Sequence, residues 1–241
     1  MGRFFRLYGR NSVSERLKVN PKSIQHIILD RSQDVRDIEH LCRPKHIPIR
    51  YLTDREFEKI SRNIRSQGII AEVEGFAYSE FDGLFNQPKE KLPTLLFLDN
   101  LNDPQNFGSI LRTAACFGGF AIVLPKHDSV EITEAVLRVA SGGESYVPVA
   151  QVTNLSLAIS EAKDKGYWIT GAVVKAGENL TQALLHFPLG IVIGSEAKGI
   201  RQGLLKQLDF TFTIPVLGAQ LSLNVAIAAA VFCYEARRQR K

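Results

Sequence analysis

Five uninterrupted apolar runs in the second part of the chain constrain its fold more than any other feature. They are Thr94-Leu95-Leu96-Phe97-Leu98, Ala121-Ile122-Val123-Leu124, Tyr167-Trp168-Ile169-Thr170, Gly190-Ile191-Val192-Ile193 and Phe210-Thr211-Phe212-Thr213-Ile214. A strand with one wet face alternates apolar and polar residues, whereas a strand covered on both faces reads as a continuous apolar run. Helical segments at Ser109–Phe117, Leu155–Lys165 and Val225–Arg238 lie between or after the runs. The pattern predicts a wound α/β domain over residues 94–241 with a parallel sheet, whose ligands bind beyond the carboxyl ends of its strands.

The first part of the chain reads differently. Short helices are expected from Ser12, over Asp34 to Cys42 and from Thr53, where Thr53 and Glu56 have capping-box spacing. Strands are expected at Ile24–Leu29, Ile47–Leu52 and Ile69–Val73, the last closing a small α/β domain over residues 1–81. Residues 82–93 are polar with two prolines and read as a linker. Charge separates the two parts. Residues 1–65 carry 15 Lys and Arg against 8 Asp and Glu, while residues 94–241 carry 13 against 12. The basic part suits a polyanion, although a solvated basic surface without a partner has the same composition.

Three polar clusters follow strands of the second part. In Asp103-Pro104-Gln105-Asn106-Phe107-Gly108, Asn106 sits at a helix start, where it suits an N-cap. Arg112 follows in an apolar stretch, where it either snorkels or needs a partner or cleft. Gly194-Ser195-Glu196-Ala197-Lys198-Gly199 has glycines that let backbone approach a ligand, with Glu196 suited to bonding a ligand or capping a turn. Ile214-Pro215-Val216-Leu217-Gly218-Ala219-Gln220-Leu221-Ser222-Leu223-Asn224 leads into an Ala-rich helix that Ser222 or Asn224 can cap. Taken singly, each cluster fits local capping.

Other chemistries lack their residues. There is no GxGxxG turn after a strand, no Walker A sequence, no GxSxG elbow and no HExxH helix. The histidines 26, 40, 46, 127 and 186 have no metal or catalytic spacing, and no metal is expected. Cys42, Cys116 and Cys233 are far apart in apolar or helical surroundings and read as buried free thiols of a cytoplasmic protein. No apolar run reaches the roughly 18 residues of a membrane span, so no membrane partner is expected.

Together the three clusters resemble the SpoU (TrmH-like) family of RNA 2′-O-ribose methyltransferases in the SPOUT superfamily. The resemblance rests on Asp103–Gly108 with Arg112, on Gly194–Gly199, and on Ile214-Pro215 with Ser222-Leu223-Asn224-Val225, in that order. Val139–Glu144 and Val152–Leu155 are similar to the branch acting on a guanosine of 23S rRNA. Tyr8-Gly9-Arg10-Asn11-Ser12-Val13 and Ser66-Gln67-Gly68-Ile69 resemble the landmarks of the substrate-binding domain, a ribosomal-protein-like fold; Asn11 and Ser66 stand where histidines are frequent.

The resemblance implies a C-terminal trefoil knot, a homodimer formed through the catalytic domain, and S-adenosylmethionine as cofactor. RNA is the implied partner, with rRNA favoured and tRNA the second choice. Arg112, Asn106, Glu196, Ser222 and Asn224 are implied catalytic residues. Thr170, Gly171, Ala172, Gly194, Ser195, Glu196, Ile214, Leu217, Ser222 and Leu223 are implied to bind cofactor. Guanidinium groups do not normally deprotonate in proteins, so Arg112 is expected first as a phosphate clamp. A catalytically silent RNA-binding homologue and a base methyltransferase remain alternatives.

Overall fold

The computed structural model describes residues 4–61, 64–195, 198–219 and 221–240. Their contacts form two compact units. One comprises Met1–Ala77 and Ile132–Tyr146, the other Tyr78–Glu131 and Val147–Lys241.

The first unit holds a four-stranded sheet. Strands β1 (Phe4–Tyr8), β2 (Ile24–Asp30), β3 (Ile49–Leu52) and β4 (Ile69–Glu74) lie in the order β1-β4-β2-β3. Only β2 and β3 pair in parallel. Helices α1 (Arg10–Val19), α2 (Arg36–Cys42) and α3 (Asp54–Ser61) complete the first segment. At the start of α3, Glu56 accepts hydrogen bonds from the Thr53 backbone N (2.9 Å) and hydroxyl (2.8 Å), as the sequence spacing predicts.

One expectation changes here. The basic N-terminus contains β1, making four strands rather than three. The Ile69–Val73 run forms the last strand in the chain order of this sheet, as expected, and sits between β1 and β2. That interior place explains its unbroken apolar character: Ile69, Ile70, Ala71 and Val73 are all fully buried.

The segment Ile132–Tyr146, which sequence boundaries place with the second part, packs in the first unit. It carries α5 (Glu134–Ala140), capped by Thr133, against β1 and α1. Arg16 of α1 pairs with Glu144 at 3.2 Å, both side chains being buried. The Glu134 carboxylate accepts a hydrogen bond from the Arg6 backbone N at 2.8 Å.

The second unit is a seven-stranded, wholly parallel sheet. Its strands are β5 (Thr94–Asp99), β6 (Phe120–Pro125), β7 (Val149–Val152), β8 (Trp168–Ala172), β9 (Glu178–Asn179), β10 (Leu189–Gly194) and β11 (Phe210–Thr213). The order is β7-β6-β5-β10-β8-β11-β9. All five apolar runs form interior strands. The two additional strands, β7 and β9, lie at the edges, where half-wet positions leave no continuous apolar run to read.

Helices α4 (Pro104–Phe117), α6 (Leu155–Asp164), α7 (Gln202–Leu205) and α8 (Val225–Gln239) complete this unit. Phe97, Ile159, Ile169 and Val192 belong to its core. Within the expected linker, Leu84 and Leu92 are buried in that core, and Phe85 stacks edge-on against Tyr167 at 5.8 Å.

Cys42 and Cys233 are buried as expected, and burial pushes their thiols up to about 11 and about 12. Cys116 is exposed, contrary to expectation. The core-facing residues of α4 are Phe107, Gly108, Ile110, Leu111 and Ala114, and position 116 falls off that stripe.

Candidate active site

Strand register brings several expected residues to one end of the parallel sheet. Gly194 of β10 lies opposite Asp99 of β5, and Ile193 lies opposite Ala172 of β8. Ala172 in turn lies opposite Phe212 of β11. Consecutive connections run from β5 through β6 to β7 on one side, while β10, β8 and β11 lie on the other. Ligands of open parallel sheets bind at such a reversal, because departing loops leave a crevice there.

The first cluster forms the start of α4. Asp103 caps the helix, accepting from the backbone N atoms of Gln105 (3.0 Å) and Asn106 (3.4 Å). The cap expected at Asn106 therefore belongs to Asp103, three residues earlier. Asn106 instead uses its Oδ1 to accept a hydrogen bond from Asn224 Nδ2 at 2.9 Å. Asn224 caps α8, its Oδ1 accepting from Ala226 N (2.9 Å) and Ile227 N (3.3 Å). One side chain thus ends a loop, starts a helix and ties the third cluster to the first. The alternative cap, Ser222, is exposed two residues before the helix cap.

The second cluster is a tight return of backbone onto a strand end. Gly199 donates its N–H to Ser195 O at 2.8 Å and has φ +63°. A Cβ on Gly194 would lie 2.1 Å from Gly199 C and 2.3 Å from Ile200 N. Backbone rather than a movable side chain fills that space, so only glycine fits. The Lys198 backbone N donates to Ser195 Oγ at 3.3 Å. Glu196 lies outside the described residues.

A pocket of about 420 Å³ opens beside the ends of β8 and β11. Ala172, Val174, Ile214, Val216, Leu223 and Phe232 supply mostly apolar walls, and Ser222 a hydroxyl. Its lining is that of a small-molecule cleft, where apolar contact supplies affinity and a few polar groups orient the ligand.

Of the expected cofactor residues, Ala172, Ile214, Ser222 and Leu223 line the pocket. Thr170 is 1 % exposed, and its hydroxyl donates to Phe210 O at 3.3 Å. A Cβ on Gly171 would meet Leu208 at 2.4 Å, so this glycine admits close packing under the loop. Gly194 and Ser195 shape the neighbouring return. Leu217 is 96 % exposed and does not line the pocket. Asn106 and Asn224 meet in a second cleft between α4 and α8. Arg112 is exposed on α4 and lines neither cleft.

Sequence reasoning missed Val174 and Phe232, ordinary apolar residues whose role is visible only from their shared cavity. It also missed Asp99. This carboxylate is wholly buried at the end of β5, yet its residue type marked only the end of an apolar run.

Residues 93–234 match the SpoU rRNA Methylase family, and residues 6–79 match the family described as RNA 2′-O ribose methyltransferase substrate binding. A relative from Bacillus subtilis named TrmH family tRNA/rRNA methyltransferase YacO is 34% identical over 236 residues, covering 96% of this chain and 94% of its own. A TrmH-family RNA methyltransferase structure from Porphyromonas gingivalis superposes with TM-score 0.78 at 27% identity, covering 98% of this chain and 90% of that one. The SpoU methyltransferase AviRb from Streptomyces viridochromogenes, in complex with AdoMet, gives TM-score 0.81 at 20% identity with the same coverages. At that identity the likeness to AviRb carries the fold alone.

Proposed function

Because this chain belongs to the SpoU rRNA methylase family, we propose that it transfers a methyl group from S-adenosylmethionine to a ribose 2′-hydroxyl of RNA, with a guanosine of 23S rRNA as its target. The observation that carries the proposal is the pocket at the strand ends. Ala172, Ile214, Ser222 and Leu223, four residues implied by the sequence motifs, converge there from separate segments.

The pocket fits this cofactor. Apolar walls suit an adenine ring and an aliphatic stem, and Ser222 offers a hydroxyl to a polar group. Bound there, S-adenosylmethionine supplies an electrophilic methyl group on a sulfonium. The protein's own work is positioning: an oxygen held in line with that methyl reacts far faster than one free in solution. Asn106 and Asn224, fixed by their mutual hydrogen bond, orient the ribose in this scheme. Arg112 clamps an RNA phosphate, and the hydroxyl proton passes to water, since a guanidinium is a poor base. Glu196 and Ser195 are assigned to the cofactor side.

The proposal assigns residues 1–81 to RNA binding, 82–93 to the connection and 94–241 to catalysis, with a trefoil knot in the last. It also includes a homodimer. Ile227 and Tyr234 are 54% and 56% exposed, seven residues apart on α8, and Phe117 of α4 stacks near Tyr234 at 6.1 Å. Such an apolar helix face suits a second copy. The free thiols Cys42, Cys116 and Cys233 suit the reducing cytoplasm, and no helix among the described residues is long and apolar enough to cross a membrane.

The test is to supply purified protein with S-adenosylmethionine and unmodified 23S rRNA or tRNA, then digest the RNA and locate the methyl by mass spectrometry. A 2′-O-methylguanosine in 23S rRNA is expected, and Arg112→Ala should abolish it while leaving cofactor affinity within about twofold. Methylation of tRNA instead would reassign the substrate, since the Bacillus subtilis relative's name spans both RNAs. Transfer to a base, or no transfer with bound cofactor, would overturn the ribose assignment.

A further inference from the structure

Asp99 and Arg201 form a pair that the motif pattern does not explain. Both Asp99 oxygens are bonded to one residue: Oδ2 accepts from the Arg201 backbone N at 2.8 Å, and Oδ1 from Arg201 Nε at 2.7 Å. The Asp99 side chain is 0% exposed and that of Arg201 is 57% exposed. A guanidinium has five N–H donors, and using Nε leaves the four on the terminal fork. Among the described residues, no hydrogen bond or ion pair reaches that fork. Arg201 is therefore anchored at its inner nitrogen and open at its outer ones.

We propose that Arg201 is a second phosphate-binding arginine of the RNA site, held in position by the buried Asp99. The inference rests on the RNA methyltransferase proposal above. Three observations support it. Asp99 lies opposite Gly194, and Arg201 follows the Ser195–Gly199 return, so the pair sits at the strand ends beside the candidate site. The strand that ends in Asp99 also leads into α4, which carries Arg112.

Competing arginines of this unit are committed or distant. Arg238 is bidentate to Glu235, and Arg240 donates to the carbonyls of Glu90 and Leu92. Arg237 lies thirteen residues beyond the α8 cap Asn224, roughly 20 Å along the helix. Finally, a planar fork fixed at Nε loses little freedom on meeting a phosphate, which accepts two parallel N–H bonds. A mere loop fastener would need only the backbone N–H and the inner nitrogen.

The experiment measures binding of the purified protein to unmodified 23S rRNA across a salt series, alongside S-adenosylmethionine titration. Arg201→Gln should weaken RNA binding about tenfold and lower the slope of log K against log salt by about one, with cofactor affinity within twofold. Arg201→Lys should restore most of the slope, because it retains the charge. If Arg201→Gln leaves the RNA salt slope unchanged, Arg201 is only a loop fastener and the inference is overturned, whatever happens to cofactor affinity. Should Arg201→Gln not fold, D99N/R201Q removes the buried charge along with its partner and is read by the same slope. Wild-type protein that methylates no ribose overturns the underlying proposal as well; normal wild-type transfer with an unaltered variant slope overturns this inference alone.

Discussion

Glu144 with Arg16 in the first unit and Asp99 with Arg201 in the second both set a buried carboxylate beside an arginine, and the two pairs are built differently. In the first unit, Glu144 and Arg16 are both inside, at 0% and 7% side-chain exposure, with a single 3.2 Å contact. Glu144 Oε2 and Arg16 Nε have no hydrogen bond among the described residues. In the second unit, Asp99 is equally buried, but both oxygens are bonded at 2.7–2.8 Å and the arginine remains half in water. Burial pushes the Glu144 carboxyl up, and Arg16 with the backbone N–H groups of Glu144 and Gly142 offsets only part of that. A buried pair with unmet donors and acceptors is a poor source of net stability, although breaking it from one side is costly. The Asp99 arrangement leaves a guanidinium solvated and available. The first pair holds structure; the second also presents a group.

Mutations can break that contrast. Arg16→Met should have the largest effect, about 3–5 kcal/mol in denaturant unfolding, because it strands Glu144 in an apolar interior. Removing both charges with Arg16→Met and Glu144→Leu should recover most of that loss, and failure to recover it would show that the pair contributes net stability. The pH dependence has a definite sign. With its folded pKa above the unfolded value, ionised Glu144 is a liability once the pH exceeds the folded pKa. The deficit of Arg16→Met should therefore shrink as the pH falls through that raised value and Glu144 becomes neutral.

Arg201→Met should cost less, about 1–2 kcal/mol, since Asp99 keeps its backbone donor and the half-exposed guanidinium is screened by solvent. Equal losses at Arg16 and Arg201 in the same unfolding assay would erase the distinction. Asn224→Ala should cost about 1 kcal/mol through the lost α8 cap. It should reduce methyl transfer more than that stability loss suggests, because Asn106 loses its partner.

The smallest effect is expected at Asp34, a surface carboxylate held to about 2 by hydrogen bonds from Arg36. Its contribution is present above the usual carboxylate range and disappears as pH falls from about 4 through about 2. NMR titration of Asp34 before and after Arg36→Ala should show the pKa return upward with little change in thermal stability.

How much was legible beforehand depended on the kind of signal. The runs at Leu95–Leu98 and Ile191–Ile193 announced interior parallel strands because burial on both faces removes polar residues. Asn224 was legible as a helix cap because its side chain and the amides it accepts from are adjacent in the chain. Asn106 was misread as a cap because Asp103 satisfies the same local chemistry. Short β1 and edge strands β7 and β9 gave weaker patterns, and Cys116 looked buried until the facing of α4 was known.

By itself, the sequence determined the parallel-sheet class of the second part, the basic bias of the first and the ordered clusters that mark the family. Those properties are local or compositional: periodicity, charge and short spacings depend on neighbours along the chain. Only the tertiary structure decided that Asn106 bonds Asn224 across 118 positions and that Asp99 is capped by Arg201 across 102. It alone placed Ile132–Tyr146 within the first unit. Such pairings follow from strand order and register, which bring distant segments together and then make their polar groups answer to one another in a water-poor interior.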